Sequence, residues 1–265
     1  MSSELMTTAV CWEVGANVSA EYGKDNSTFY YFCPEPNCLE KVVPAQRNNK
    51  FFKAPNRHVT GCKNEKESSE NSNVQGEQKK VAMAVPPPII PSHLGAIPTT
   101  KKNKAMPTRA QMLALAQQVQ NSPAIHPGTL QEVVDAWRIL SMNERVDHQL
   151  NVENKSSNYF EAFVPLSHAG EDINAASWNS SIVFGAASVE LFNGSFYIKT
   201  FRKFSCDANR AQIRIRVRSS DPYFELLKDG EKVTLFLRTS TPNIDARNKF
   251  FEIQPSTRYS GFAIG

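Results

Sequence analysis

No stretch of this 265-residue sequence reaches the ~20 consecutive apolar residues of a membrane-spanning helix, and its first residues, MSSELMTTAVCWEV, have no basic segment leading into an apolar run. The expectation is a cytoplasmic protein with no membrane partner. Cysteine is scarce, five residues in all, and Cys11 and Cys206 lie far apart, which excludes the disulfide framework of a small secreted domain and fits a reducing compartment. Also missing are a glycine-rich phosphate loop, a nicotinamide-binding fingerprint, a paired-carboxylate motif and a nucleophile elbow. His126, His148 and His168 are scattered among loops and helix ends. A non-catalytic role is therefore expected, with an enzyme assembled from dispersed residues as the open alternative.

The remaining cysteines are concentrated. Cys33 and Cys38 bracket CPEPNC, and His58 and Cys62 bracket HVTGC, so that four of the ten Cys and His residues fall within thirty positions. Two chelating pairs of this kind supply the four ligands of a tetrahedral Cys3His zinc site, and a four-ligand site leaves no position for a reacting water. Buried, metal-free thiols beside a surface histidine are the alternative. Zinc would be structural, contributing on the order of 10 kcal/mol to the folding of a segment too short to build its own core.

Composition divides the chain. Residues 67–107 run from a polar tract, ending in NSNVQGEQKK, into VPPPIIPSHLGAIPTTKKNKAMP, without periodicity and with repeated proline. Such a segment buries too little apolar surface to offset its ordering entropy and reads as a disordered, Pro-rich linker, with a proline-rich docking motif as the weaker reading. The expected organisation is a zinc-ribbon domain at 1–66, the linker at 67–107, and an α+β domain at 108–265.

Within 1–66, AVCWEVGANVSAEY and STFYYFCP alternate apolar and polar residues around Gly15 and an Asp25-Asn26-Ser27 turn, and KVVPAQR and KFFKAP read as two further strands. In 108–265, TRAQMLALAQQVQN places Met112, Leu115, Ala116 and Val119 on one helical face. TLQEVVDAWRILSMNE opens on a Thr129/Glu132 capping box and predicts a second helix with Leu130, Val133, Val134, Trp137 and Ile139 inward. Strand texture follows: HQLNVE, NYFEAFVPL, SIVFGAASVELF, SFYIKTFRKF, AQIRIRVRS, KVTLFLRTS, KFFEIQP and SGFAIG, with turn signals at Asn193-Gly194, Asp207-Ala208-Asn209 and Asp229-Gly230. Two helices before many short strands predict an antiparallel sheet or a partly open barrel.

The formal net charge is only +4, but the cations are grouped. Lys41, Arg47, Lys50, Lys53, Arg57 and Lys63 occupy an acid-free run around the second chelating pair, with Phe51 and Phe52 among them. Lys199, Arg202, Lys203, Arg210, Arg214, Arg216 and Arg218 face only Asp207 in their stretch. In AQIRIRVRS, alternation sends Ile213, Ile215 and Val217 to one side and aligns Arg214, Arg216 and Arg218 about 7 Å apart on the other. Basic groups interleaved with aromatics on a sheet face bind single-stranded nucleic acid by phosphate neutralisation and base stacking. The candidate contacts are Arg47, Lys50, Lys53, Lys199, Arg202, Arg214, Arg216 and Arg218. Two other uses of these cations compete: offsetting the charge of the zinc thiolates, and pairing with Glu190, Glu225 or Glu231. Partner proteins, docked by a zinc-binding adaptor, are the alternative partner class.

The order of the first quarter, a strand pair with a glycine turn, Cys33-Pro34, Cys38, a strand, then Phe51-Phe52 ahead of His58 and Cys62, resembles the N-terminal zinc-binding region of the CoiA-like competence-protein family. That resemblance implies association with DNA uptake, mobile elements or phage defence. In that family a nuclease domain follows. Here no Asp and Glu-x-Lys fall on adjacent expected strands downstream, and Asp221, Glu225 and Glu231-Lys232 have the wrong spacing, so the metal ligands carry over and the nuclease activity does not.

Overall fold

The computed structural model describes residues 5–65, 90–97, 99, 106–152, 155–206, 209–245, 247, 249–253 and 256–265. Most of the expected linker, 67–89, 98 and 100–105, lies outside the described residues. The chain divides into two compact units, Met1–Ile90 with Ile97–His126, and Pro91–Ala96 with Pro127–Gly265. Among the described residues, five α-helices and three sheets make the class α+β, as expected. The boundaries differ from the expected 66/67 and 107/108. The helix that begins at Arg109 packs with the N-terminal unit, and Pro91–Ala96, inside the expected linker, belongs to the C-terminal one.

The first unit is built on a five-stranded sheet in the order β2-β1-β3-β4-β5, from β1 (Thr8–Cys11), β2 (Ala16–Ser19), β3 (Tyr31–Phe32), β4 (Lys41–Gln46) and β5 (Lys50–Lys53). Its pairings are antiparallel throughout. Alternation along β1 and β3 supplies both faces with apolar side chains. Ala9, Cys11, Tyr31 and Cys33 enter one core with Val42, Phe52 and Cys62, while Val10, Trp12 and Phe32 enter another with Leu39. That second face is closed by α2 (Arg109–Val119), whose Met112, Leu115, Ala116 and Val119 are buried against it, the face the 3.6-residue period predicts. Thr108 and Gln111 close a capping box at the start of this helix. At its end, the buried Asn17 donates Nδ2–H to the carbonyls of Val119 and Ser122, at 2.8 and 3.3 Å, satisfying groups a helix terminus otherwise leaves open.

One short helix in this unit was not expected. α1 (Ala20–Asp25) is capped by Ser19, whose hydroxyl accepts from the Tyr22 N–H. Gly23 disfavours a helix, yet a Cβ there would stand 2.5 Å from Cζ of Phe52, so the glycine is what lets that ring lie against the helix.

The second unit carries a small sheet, β7-β6-β8-β9, from β6 (His93–Leu94), β7 (Pro127–Gly128), β8 (Gln149–Val152) and β9 (Lys155–Asn158). The predicted second helix is two helices, α3 (Leu130–Ile139) and α4 (Met142–Asp147). Ser141 ends the run by building a capping box of its own with Glu144, which turns the chain. In consequence Ile139 is exposed rather than inward. The predicted strand NYFEAFVPL begins instead as α5 (Tyr159–Ala162), because the Asn158 side chain accepts from the Glu161 N–H, and becomes strand only at β10 (Phe163–Pro165).

The large sheet runs β15-β16-β13-β12-β11-β14-β17, with β10 also on β11. Its strands are β11 (Ile182–Phe192), β12 (Ser195–Cys206), β13 (Asn209–Val217), β14 (Lys232–Arg238), β15 (Asn243–Ile244), β16 (Phe250–Glu252) and β17 (Gly261–Ile264). The expected antiparallel sheet is mixed: β10 and β16 join parallel, and among the described residues the path does not close into a barrel. Asn193-Gly194 makes the predicted two-residue hairpin, both residues at positive φ. The core beneath gathers Trp178, Ile198, Phe204, Ile213, Ile215, Leu235 and Phe251, and the Trp178 indole N–H donates to the Ile173 carbonyl at 2.6 Å.

Candidate metal centre and cationic faces

Cys33, Cys38, His58 and Cys62 converge, each offering one ligand atom, all within 4.8 Å of one another. Zinc bonds of about 2.3 Å to sulfur and 2.0–2.1 Å to nitrogen give tetrahedral edges of about 3.8 Å between sulfurs and about 3.6 Å between sulfur and nitrogen. The Cys33–Cys62 sulfurs lie 3.7 Å apart, and His58 Nδ1 stands 3.3 and 3.7 Å from the sulfurs of Cys38 and Cys62. The four side chains could hold a metal ion, and these three spacings are those of zinc.

Local backbone geometry positions them. After Cys33 the chain turns so that the N–H groups of both Cys38 and Leu39 reach the Glu35 carbonyl, with Leu39 at φ 53. That left-handed conformation is unfavourable for leucine. It is held because the Leu39 side chain is buried beneath α2 with Met112 and Leu115. The second chelating turn closes through the Cys62 N–H on the Val59 carbonyl, and Gly61 takes φ 84. A side chain would strain that position, and glycine does not.

Burial lifts the Cys33 thiol to about 12 and raises that of Cys62, and desolvation lowers the His58 imidazole. The imidazole is thus biased to its neutral, ligating form, and the thiols release their protons as a metal binds. Two donors already face the sulfurs. The Asn64 backbone N–H points at Cys62 Sγ and its Nδ2 at Cys33 Sγ, both at 3.4 Å. Asn64 was not among the expected site residues, although its place two residues after a ligand is where an N–H···S contact forms.

The cations around this centre are less suited to stacking bases than the sequence suggests. Arg47 is exposed in the β4–β5 turn, Lys50 and Lys53 lie on β5, and Lys41 sits 5.0 Å from the Tyr30 ring centroid. Phe51 and Phe52 are both buried, Phe52 packing on Tyr31 at 5.2 Å, which corrects their reading as a stacking surface.

On the large sheet the expected alternation holds. Ile213, Ile215 and Val217 are buried, and Arg214 and Arg216 point away from them. Pairing then distinguishes these cations. Arg214 is bonded to Glu252 and lies 3.6 Å from Asp245, and Lys199 is paired with Glu190. Of the three expected neutralising acids, Glu190 takes Lys199, and the acids on Arg214 come from β16 and the loop before it. Arg216 donates to Ser195 Oγ at 3.1 and 3.2 Å, and Arg218 is exposed. Around Arg214 the face is aromatic, with ring centroids of Phe250 and Tyr197 at 4.2 and 5.6 Å.

Ser19 Oγ lies 2.8 Å from His126 Nδ1, the spacing of a nucleophile and base. The hydroxyl caps α1, however, and Ser19 is only 4% exposed, so the pair serves the fold. Among the described residues no helix is long and apolar enough to cross a membrane. Compared with known protein families, with curated proteins and with solved structures, the chain matches none.

Proposed function

We propose that the protein is a zinc-binding, non-catalytic protein that binds single-stranded nucleic acid, and that it serves DNA uptake, mobile elements or phage defence, as the likeness of its first quarter to CoiA-like proteins suggests. One observation carries the nucleic-acid reading. The outer face of β12, β13 and β16 sets Tyr197 and Phe250 beside Lys199, Arg214 and Arg216, a mixture of ring faces and cations suited to bases and phosphates together. The acids on Lys199 and Arg214 hold those cations in place until a phosphate competes for them. The zinc centre, with its ligands mutually within reach and largely buried, maintains the fold of the first unit.

The reading is tested by fluorescence anisotropy of labelled oligothymidylate and oligouridylate with the zinc-loaded chain. Three phosphate contacts on a single strand, one for each of these cations, predict a slope of about −2.1 in log affinity against log salt, a loss of about 18-fold between 50 and 200 mM. Absence of binding to either strand at the lower salt overturns it.

An adaptor role is the second reading, and a different surface favours it. Ile139, Met142, Val146 and Phe160 are all exposed, on α3, α4 and the adjoining α5. Salt-insensitive capture of a protein partner, abolished by Met142→Lys, would favour that role over nucleic acid.

A further inference from the structure

β12 does not pair evenly with β13. Lys199 lies opposite Arg214 and Lys203 opposite Gln212, so Thr200, Phe201 and Arg202 share the place of one partner residue. The bulge is fixed from within. Thr200 is fully buried, its hydroxyl accepts from the Ile213 N–H and donates to the Arg202 carbonyl, and its own carbonyl accepts from Gln212 Nε2 at 2.6 Å. A bulge re-aims side chains that a regular strand would alternate. Here it opens a cleft of about 490 Å³ lined by Phe201, Arg202, Lys203, Arg210 and Glu171. That volume is within the ~300–1,000 Å³ of small-ligand sites.

The rim is tied down. Arg202 donates to the Gly170 carbonyl at 2.8 Å, and Ser205 donates both its N–H and its hydroxyl to the Glu171 carbonyl. Arg210 stands opposite Ser205 in the β12–β13 ladder. Phe201 remains 50% exposed, with Lys232 Nζ 5.9 Å from its ring. The cleft thus offers an open aromatic face, three cations and one carboxylate. Arg210 and Glu171 approach only to 4.0 Å with side chains 64% and 78% exposed, a contact too long and too wet to occupy either group.

A carboxylate in a phosphate-attracting cleft repels its ligand unless some part of that ligand donates to it. Within a nucleic-acid strand the 3′ and 5′ sugar oxygens are esterified, and the 2′-hydroxyl of ribose is the sugar donor left. We infer that this cleft seats one ribonucleotide of a bound strand, with its base on Phe201, its phosphate between Lys203 and Arg210, and its 2′-hydroxyl donating to Glu171. The inference rests on the single-strand reading above and narrows it to RNA.

The test uses the full zinc-loaded chain and two short fluorescein-labelled strands, oligouridylate and oligodeoxyuridylate. Wild type should prefer the ribose strand about 10-fold, the effect of one hydrogen bond to a charged group, and Glu171→Gln should abolish most of that preference. Phe201→Ala should weaken both strands about 10-fold while Phe201→Trp preserves binding, and Lys203→Gln with Arg210→Gln should reduce the salt slope by about 1.4. Thermal melting checks the fold of each variant, and the tryptophan and charge variants carry the test if Phe201→Ala destabilises. Equal wild-type affinity for the two strands, or tight binding unaffected by every cleft variant, overturns the cleft assignment and leaves the single-strand reading standing. Failure of wild type to bind either strand at low salt overturns both.

Discussion

Asn64 tests whether the metal centre extends beyond its four ligands. With zinc bound, three thiolates, one neutral imidazole and a divalent ion would leave the site with a net charge of −1, carried mainly on sulfur. Asn64 directs two N–H donors at that charge, one from the backbone to Cys62 and one from the side chain to Cys33. Asn64→Ala removes the second and retains the first. Loss of one such outer partner should weaken zinc about 10- to 100-fold, equivalent to about 1.4–2.7 kcal/mol. Asn64→Asp keeps the shape but sets a carboxylate beside the thiolates, and should lose more zinc affinity than the alanine variant. Competition titration against a chromophoric chelator measures both, with Cys62→Ser as the variant that no longer completes the site. If Asn64→Ala and Asn64→Asp hold zinc as tightly as wild type while Cys62→Ser releases it, donation to sulfur is not stabilising the thiolates and the reasoning fails.

Stripping zinc with a chelator should abolish hydrogen-exchange protection at Ala9, Val10 and Phe32, because the loss of on the order of 10 kcal/mol matches the whole stability of an ordinary domain; β11–β13 should keep theirs. Iodoacetamide at mildly alkaline pH should label the half-exposed Cys206 first and leave Cys11, which is fully buried with its thiol lifted to about 12, unmodified until the protein unfolds, as peptide mass spectrometry would show. Arg214→Gln should cost about 1 kcal/mol in denaturant titration, since its side chain is only 24% exposed between two carboxylates, whereas Arg218→Gln should cost almost nothing. The Lys249 N–H, with help from the Phe250 N–H and Arg214, holds the Asp245 carboxyl below its ordinary value. Its contribution is therefore complete above the usual carboxylate range and fades as pH falls through the lowered value, so Asp245→Asn should flatten the acid limb of the stability curve.

What was legible in the sequence was whatever depends on short range. The four candidate metal ligands, the period of α2, the capping box of α3 and the Asn193-Gly194 turn all follow from residue types within a few positions of one another. Two local signals were outcompeted. Apolar residues continue through Ile139, but Ser141 with Glu144 starts a new helix, and Tyr159 begins a helix because Asn158 caps it. The arginine stripe was visible, but the carboxylates on Arg214 come from positions thirty or more residues away, through parallel pairing of β16 that no turn signal announces. The β12 bulge likewise depends on a buried threonine meeting the Ile213 N–H across the ladder, which alternation along one strand does not encode.

The helix Arg109–Val119 roofs a sheet that ends more than fifty residues before it, and this has a consequence for synthesis on the ribosome. By the time Cys62 has been added, every candidate metal ligand and every described strand of the first sheet exists, yet Val10, Trp12, Phe32 and Leu39 still lack their cover. At about 5–20 residues per second the chain needs roughly 3–11 s more before Val119 is made. During that interval the nascent protein presents an apolar face to water, a natural docking place for a chaperone. A fragment stopped at residue 66 would keep that face open permanently, so the metal would fold it into a species prone to self-association.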